Sequence, residues 1–179
     1  GFGQGVVVTP IQILSAYAAV ANDGVYNPPR LVLDAPGSKL PERKPHRVMS
    51  AANAATLRSH MIAVVTSGTG RKAKIAGYTA GGKTGTAQIA KNGHYGNGYV
   101  ASFCGFLPAS KPRLAILVSV WHPRKNQYGG SVSAPVFREI SRKCVAFLKI
   151  PPDAPDDPTD GAGNIAVAHR GAPGGMKND

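Results

Sequence analysis

The stretch Gly81-Gly82-Lys83-Thr84-Gly85-Thr86-Ala87-Gln88 decides how the rest of the chain is read. With the residues before it, Gly77-Tyr78-Thr79-Ala80-Gly81-Gly82-Lys83-Thr84 fits G-x-x-x-x-G-K-[ST], the pattern of a phosphate-cradling loop. Such a loop leaves a strand and opens into a helix, whose N-terminal amides hold the anion. Thr84, Gly85 and Thr86 are weak helix formers, with Gly costing about 1 kcal/mol relative to Ala. Continued as a strand, the same residues sort cleanly. Thr84, Thr86 and Gln88 fall on one face, and Gly85, Ala87 and Ile89 on the other. Two hydroxyls then share a side, and Gly85 admits another group close to the backbone. The best candidate for a magnesium-binding partner strand, residues 114–121, ends in Trp121 followed by His122, with no Asp. The strand reading is favoured.

Read as a strand, Lys83-Thr84-Gly85 is the K-T-G element that accompanies S-x-x-K in penicillin-binding proteins and β-lactamases. Other segments, in order, strengthen the resemblance: Gly1-Phe2-Gly3-Gln4-Gly5, Val8-Thr9-Pro10-Ile11-Gln12, Ala16–Asn22, Gly68-Thr69-Gly70 and Gly105-Phe106-Leu107-Pro108. Over residues 1 to 150 the chain resembles the C-terminal half of the transpeptidase domain of class B penicillin-binding proteins. That resemblance implies an α+β fold of the penicillin-binding/β-lactamase type, with the K-T-G strand and two following strands in an antiparallel sheet packed against helices. It also implies an acyl-serine D,D-transpeptidase that cross-links peptidoglycan stem peptides and is a β-lactam target.

By the same resemblance, Thr84 and Thr86 hold the carboxylate of a D-Ala-D-Ala stem or of a β-lactam, with Gly85 between them. Lys83 supplies positive potential beside it, and the Thr86 amide is one oxyanion donor. Lys83 and Thr86 are therefore the expected catalytic residues, and Lys83, Thr84, Gly85 and Thr86 the expected substrate-binding set. No serine here is followed three places on by Lys or two places on by Asn, so neither S-x-x-K nor S-x-N occurs. The resemblance puts both motifs in an N-terminal half of the same domain, without which this chain is expected to be inactive. Other cell-wall synthesis proteins are expected partners. The expected location is the extracytoplasmic face of a bacterial inner membrane, anchored through sequence outside this chain. A β-lactamase or β-lactam sensor of the same fold is the alternative. The motifs at 1–22 and 68–70 favour the transpeptidase.

Composition sets looser bounds. The 179 residues suffice for one domain, and the formal charge is +12. Residues 1–150 hold 19 Lys/Arg against Asp23, Asp34, Glu42 and Glu139. So basic a body suits an acidic polymer, anionic headgroups or nucleic acid. The aromatics form no nucleic-acid recognition module, and nucleic acid is not the expected partner. The five histidines and Cys104 and Cys144 show no ligand spacing, so no metal or other cofactor is expected. Both cysteines are expected as buried free thiols.

The elements follow from caps and periodicity. Thr9-Pro10-Ile11-Gln12 reads as a capping box, opening a helix that Gly24 ends, with Ile11, Leu14, Ala18 and Ala21 inward. Ser50 caps a helix over 51–66 with Leu57, Met61, Ile62 and Val65 inward. Residues 25–33 read as extended and 34–47 as a loop. Strands are expected over 78–89, 99–107 and 113–121, the last of them central for its Leu, Ile and Val content. Ser133 reads as the cap of a final helix, with Pro135 in its first turn. Residues 151–179, rich in Pro, Asp and Gly, are expected to be a mostly disordered tail.

Overall fold

A computed structural model describes residues 6–30, 43–91 and 93–155. Helix α1 spans Pro10–Ala21 and α2 spans Ala51–Thr66. Between them, β1 (Val25–Tyr26) pairs antiparallel with β2 (His46–Arg47), which lies in a stretch read as loop. A 3-10 turn at Arg71–Ala73 leads to β3 (Gly81–Lys91), β4 (His94–Leu107), β5 (Leu114–Trp121) and α3 (Gly129–Phe147).

Two of the three anticipated caps, at Thr9 and Ser50, are present. The Thr9 hydroxyl accepts from the Gln12 amide at 3.4 Å, while the Gln12 side chain accepts from the Thr9 amide at 2.8 Å. Ser50 Oγ accepts from the Asn53 amide at 3.2 Å. The inward stripes differ from expectation. In α1 the buried residues are Ser15, Ala19 and Val20, and Ile11 is exposed. This helix is apolar on several sides, so the elements packed on it choose the buried face. In α2, Val65 is buried and Leu57 is exposed.

The sheet runs β3-β4-β5, antiparallel throughout. Thr84 pairs with Phe103, Thr86 with Ala101 and Gln88 with Tyr99. β3 starts three residues later than anticipated, because Tyr78 instead bridges to Ile75 and donates its hydroxyl to the Ile150 carbonyl at 2.7 Å. β4 starts earlier. Lys91 pairs with His94, so the turn is two residues long and contains Gly93 at φ +79°. Asn97 and Gly98, which fall between the two expected strands, lie inside β4 opposite a register shift between Gln88 and Ala90.

The strand at the centre is β4, not β5 as its Leu, Ile and Val content suggested. β4 is buried on both faces from Phe103 to Leu107. Apolar content reports how thoroughly a strand's faces are covered, and that does not fix strand order. Phe103, Leu107 and Val118 meet Ala134, Phe137 and Val145 of α3, with the Phe103 and Phe137 rings edge to face at 4.8 Å. Cys104 is buried among neighbours that push its thiol up to about 12, and Tyr17 is likewise pushed up to about 12 by burial. Cys144 is a free thiol too, but only half-buried.

α3 begins one turn earlier than the Ser133 cap implied. Ser133 is instead interior, fully buried, and donates to the Ala101 carbonyl at 2.9 Å. Pro135 accordingly lies beyond the first turn, where it has no amide to give the carbonyl of Ser131. The start is set by Gly129-Gly130. A Cβ on Gly129 would sit 2.1 Å from the Ser102 carbonyl oxygen and 2.5 Å from that of Gly85. Only glycine lets the helix begin directly against the strand pair.

The expected tail begins within the packed body. Asp153 accepts hydrogen bonds from the Thr79 amide (2.7 Å) and hydroxyl and from the Ser110 hydroxyl (2.5 Å). Burial raises the Asp153 pKa, but these bonds outweigh it and hold the carboxyl below its ordinary value. The disorder expected of the remaining tail concerns residues 156–179, which lie outside the described residues, as do Gly1–Gly5.

Candidate functional site

The K-T-G segment is the start of β3, and it continues as strand to Lys91. The helix that a phosphate loop needs after Lys83-Thr84 is absent, so that reading fails on backbone conformation. β3 pairs with β4 along one edge only, leaving its other edge without a partner strand among the described residues.

Thr84 and Thr86 project toward the face that carries α3. Each hydroxyl is held by a group from another part of the chain. Thr84 Oγ1 lies 3.0 Å from Thr69 Oγ1, in the turn after α2. Thr86 Oγ1 accepts from the Gly129 amide at 3.3 Å, at the start of α3. A hydroxyl that accepts from an amide still has its own proton to donate. Lys83 alternates to the opposite face and is exposed, yet its ammonium folds around the strand. Nζ reaches the Thr84 carbonyl at 3.1 Å and the Thr84 hydroxyl at 3.4 Å. The group that approaches Gly85 is the Ser102 hydroxyl across the strand pair, which would be 2.5 Å from a Cβ.

Thr84 and Thr86 open onto a cavity of about 340 Å³, with Thr69, Tyr128 and Gly129 on its other wall, whereas Lys83 and Gly85 do not line it. Arg71 and Lys72 stand at its rim, and α3 has no acidic residue in its first turn. A helix of 19 residues starting here adds positive potential from its N-terminal end. Hydroxyl donors, two cations and a helix start in one hollow suit a carboxylate. Among the described residues no group of three His, Cys, Asp or Glu is placed to hold a metal ion.

The four anticipated residues are thus together at one strand start. Thr69, Arg71, Lys72, Tyr128 and Gly129 were not anticipated as part of the site, although Gly68-Thr69-Gly70 is one of the segments that carry the resemblance. The doubled glycine at 129–130 was the one local sign, since glycine pairs mark close backbone approach.

Comparison with known proteins agrees with this geometry. Residues 1–142 match the family model of the penicillin binding protein transpeptidase domain. Stage V sporulation protein D of Bacillus subtilis is 39% identical over 160 residues, covering 84% of this chain and 25% of that protein. Peptidoglycan D,D-transpeptidase FtsI of Escherichia coli is 36% identical over 159 residues, covering 86% of this chain and 26% of that protein. The chain therefore spans about a quarter of the length of these relatives. Among solved structures, the transpeptidase domain of Burkholderia pseudomallei penicillin-binding protein 3 superposes with a TM-score of 0.70 at 35% identity. That alignment covers 83% of this chain and 45% of the other. The α+β architecture, the order of motifs and these matches place the chain in the class B penicillin-binding protein transpeptidase family.

Proposed function

We propose that this chain supplies the carboxylate-anchoring wall of a peptidoglycan D,D-transpeptidase that works through an acyl-serine intermediate and is acylated by β-lactams. The observation that carries the reading is the pair of hydroxyls on Thr84 and Thr86, each oriented by a partner from elsewhere in the chain. They bind the terminal carboxylate of a D-Ala-D-Ala stem peptide, placing the scissile carbonyl beside the free edge of β3. Lys83 contributes positive charge at the strand start, and the Thr86 amide is one oxyanion donor. Chemistry of this type also needs a nucleophile with a base near it. Neither S-x-x-K nor S-x-N occurs in this chain, so a further segment of the same domain supplies both. The site of action is the outer face of the cytoplasmic membrane, and no described helix is long and apolar enough to cross one.

The test is labelling with a fluorescent penicillin. This chain by itself should form no covalent adduct, whereas the complete domain should be labelled at a serine outside this chain. An adduct on any serine of residues 1–179 would overturn the division of roles. Rapid turnover of the adduct would favour the β-lactamase alternative, and slow release favours the transpeptidase.

A further inference from the structure

A second hollow, of about 240 Å³, lies further along the sheet from the carboxylate anchor. Its walls are the first half of β4, with Gly98 and Tyr99, and the segment from His122 to Gln127 that joins β5 to α3. The two hollows are lined by consecutive stretches of the chain. The joining segment runs directly into Tyr128 and Gly129, which line the first. Tyr99 pairs with Gln88, two residues beyond Thr86 on β3. At a rise of about 3.3 Å per residue, Tyr99 therefore lies roughly 7 Å along the strand direction from Thr86, one strand over.

The second hollow is built for negative charge. Arg124 and Lys125 line it beside His122, and no acidic residue does. The described residues hold only three carboxylates, all engaged elsewhere. Asp23 pairs with Arg58 at 2.6 Å, Glu139 with Arg142 at 3.0 Å, and Asp153 takes the bonds from Thr79 and Ser110. No described acidic side chain is left to neutralise the two cations.

The backbone here is also held in an uncommon state. His122 has φ +50°, a left-handed conformation costly for a residue with a side chain. Its amide donates to the Tyr99 carbonyl at 2.9 Å, and its ring lies over Gly98. A Cβ at Gly98 would come within 2.7 Å of the ring. A glycine on β4 and a strained residue just after β5 thus turn the joining segment so that Arg124 and Lys125 border the hollow. Strain of this kind persists where the surroundings hold it, and it gathers at ligand sites.

We propose that this hollow is a second anion subsite, which takes a side-chain carboxylate of the peptide whose terminal carboxylate is held by Thr84 and Thr86. It rests on the anchor reading above and extends it. The subsite makes the enzyme selective for stem peptides that carry an acidic residue a short distance before the D-Ala-D-Ala end.

The test uses the complete transpeptidase domain containing this chain and two peptides ending in D-Ala-D-Ala. They differ only in glutamate or glutamine two places before that dipeptide. In the Arg124→Gln/Lys125→Gln variant, KM for the glutamate peptide should rise about tenfold with kcat within about twofold, the signature of lost uniform binding. KM for the glutamine peptide should stay within about twofold of the parent value. Arg124→Lys/Lys125→Arg should restore the glutamate preference, which a merely structural role would not predict. Acylation by benzylpenicillin, whose single carboxylate occupies the first hollow, should be unchanged and reports that the variant is folded. Equal KM values for the two peptides in the parent enzyme, or equal losses for both in the variant, would overturn the subsite. The anchor is judged separately, by the effect of Thr84→Val on benzylpenicillin acylation.

Discussion

Thr69 Oγ1 and Thr84 Oγ1 lie 3.0 Å apart, joining the turn after α2 to the start of the K-T-G strand. One hydroxyl is thereby aimed by another that does not belong to the motif. Thr69→Val removes the partner and keeps the branched shape. Acylation of the complete domain by penicillin should slow several-fold through weaker binding, and Thr69→Ser should restore most of the rate. A rate unchanged in Thr69→Val would show that Thr84 needs no such support.

Thr84→Val and Thr86→Val test the anchor directly. A hydrogen bond to a charged acceptor is worth ~1.5–3 kcal/mol, so each change should slow acylation by roughly ten- to a hundredfold. Both variants should keep their thermal midpoints near the parent's, since valine suits a strand as well as threonine does. Lys83→Ala should slow acylation without conferring or removing nucleotide affinity. Micromolar magnesium-nucleotide binding by the parent domain would contradict the strand-based site.

Gly129→Ala puts a methyl group where the Ser102 and Gly85 carbonyl oxygens already stand, at 2.1 and 2.5 Å. The start of α3 must then lift off the strand pair. Overpacking of this kind costs ~1–3 kcal/mol or more. The bond from the Gly129 amide to Thr86 should be lost with it. We expect a lower melting temperature together with slower acylation.

Asp153→Asn tests whether the chain beyond α3 is docked. The bonds from Thr79 and Ser110 hold the Asp153 carboxyl below its ordinary value. A depressed native pKa contributes stability that is present above the unfolded value of about 3.9 and is lost as pH falls through the native one. At neutral pH the variant should lose ~1 kcal/mol after solvent screening, or ~2–4 °C in melting temperature. The difference should shrink below about pH 4. A gap that stays constant as pH falls below about 4 would assign the effect to packing instead of charge.

The sequence alone determined the strand character of residues 83–88, the capped helix starts at Thr9 and Ser50, and the grouping of Lys83, Thr84, Gly85 and Thr86. These are local properties. A cap reaches three residues, alternation along a strand has period two, and glycine and threonine disfavour a helix wherever the rest of the chain goes. The tertiary structure decided that β4 is central, that α3 starts at Gly129 instead of Ser133, and that Thr69 and Gly129 serve the two site hydroxyls. Those outcomes depend on contacts between residues 15 to 43 positions apart. Ser133 has the chemistry of a cap, but burial against Ala101 turned its hydroxyl to a strand carbonyl. The glycine pair before it, by lacking side chains, let the helix begin a turn sooner and close the wall of the site.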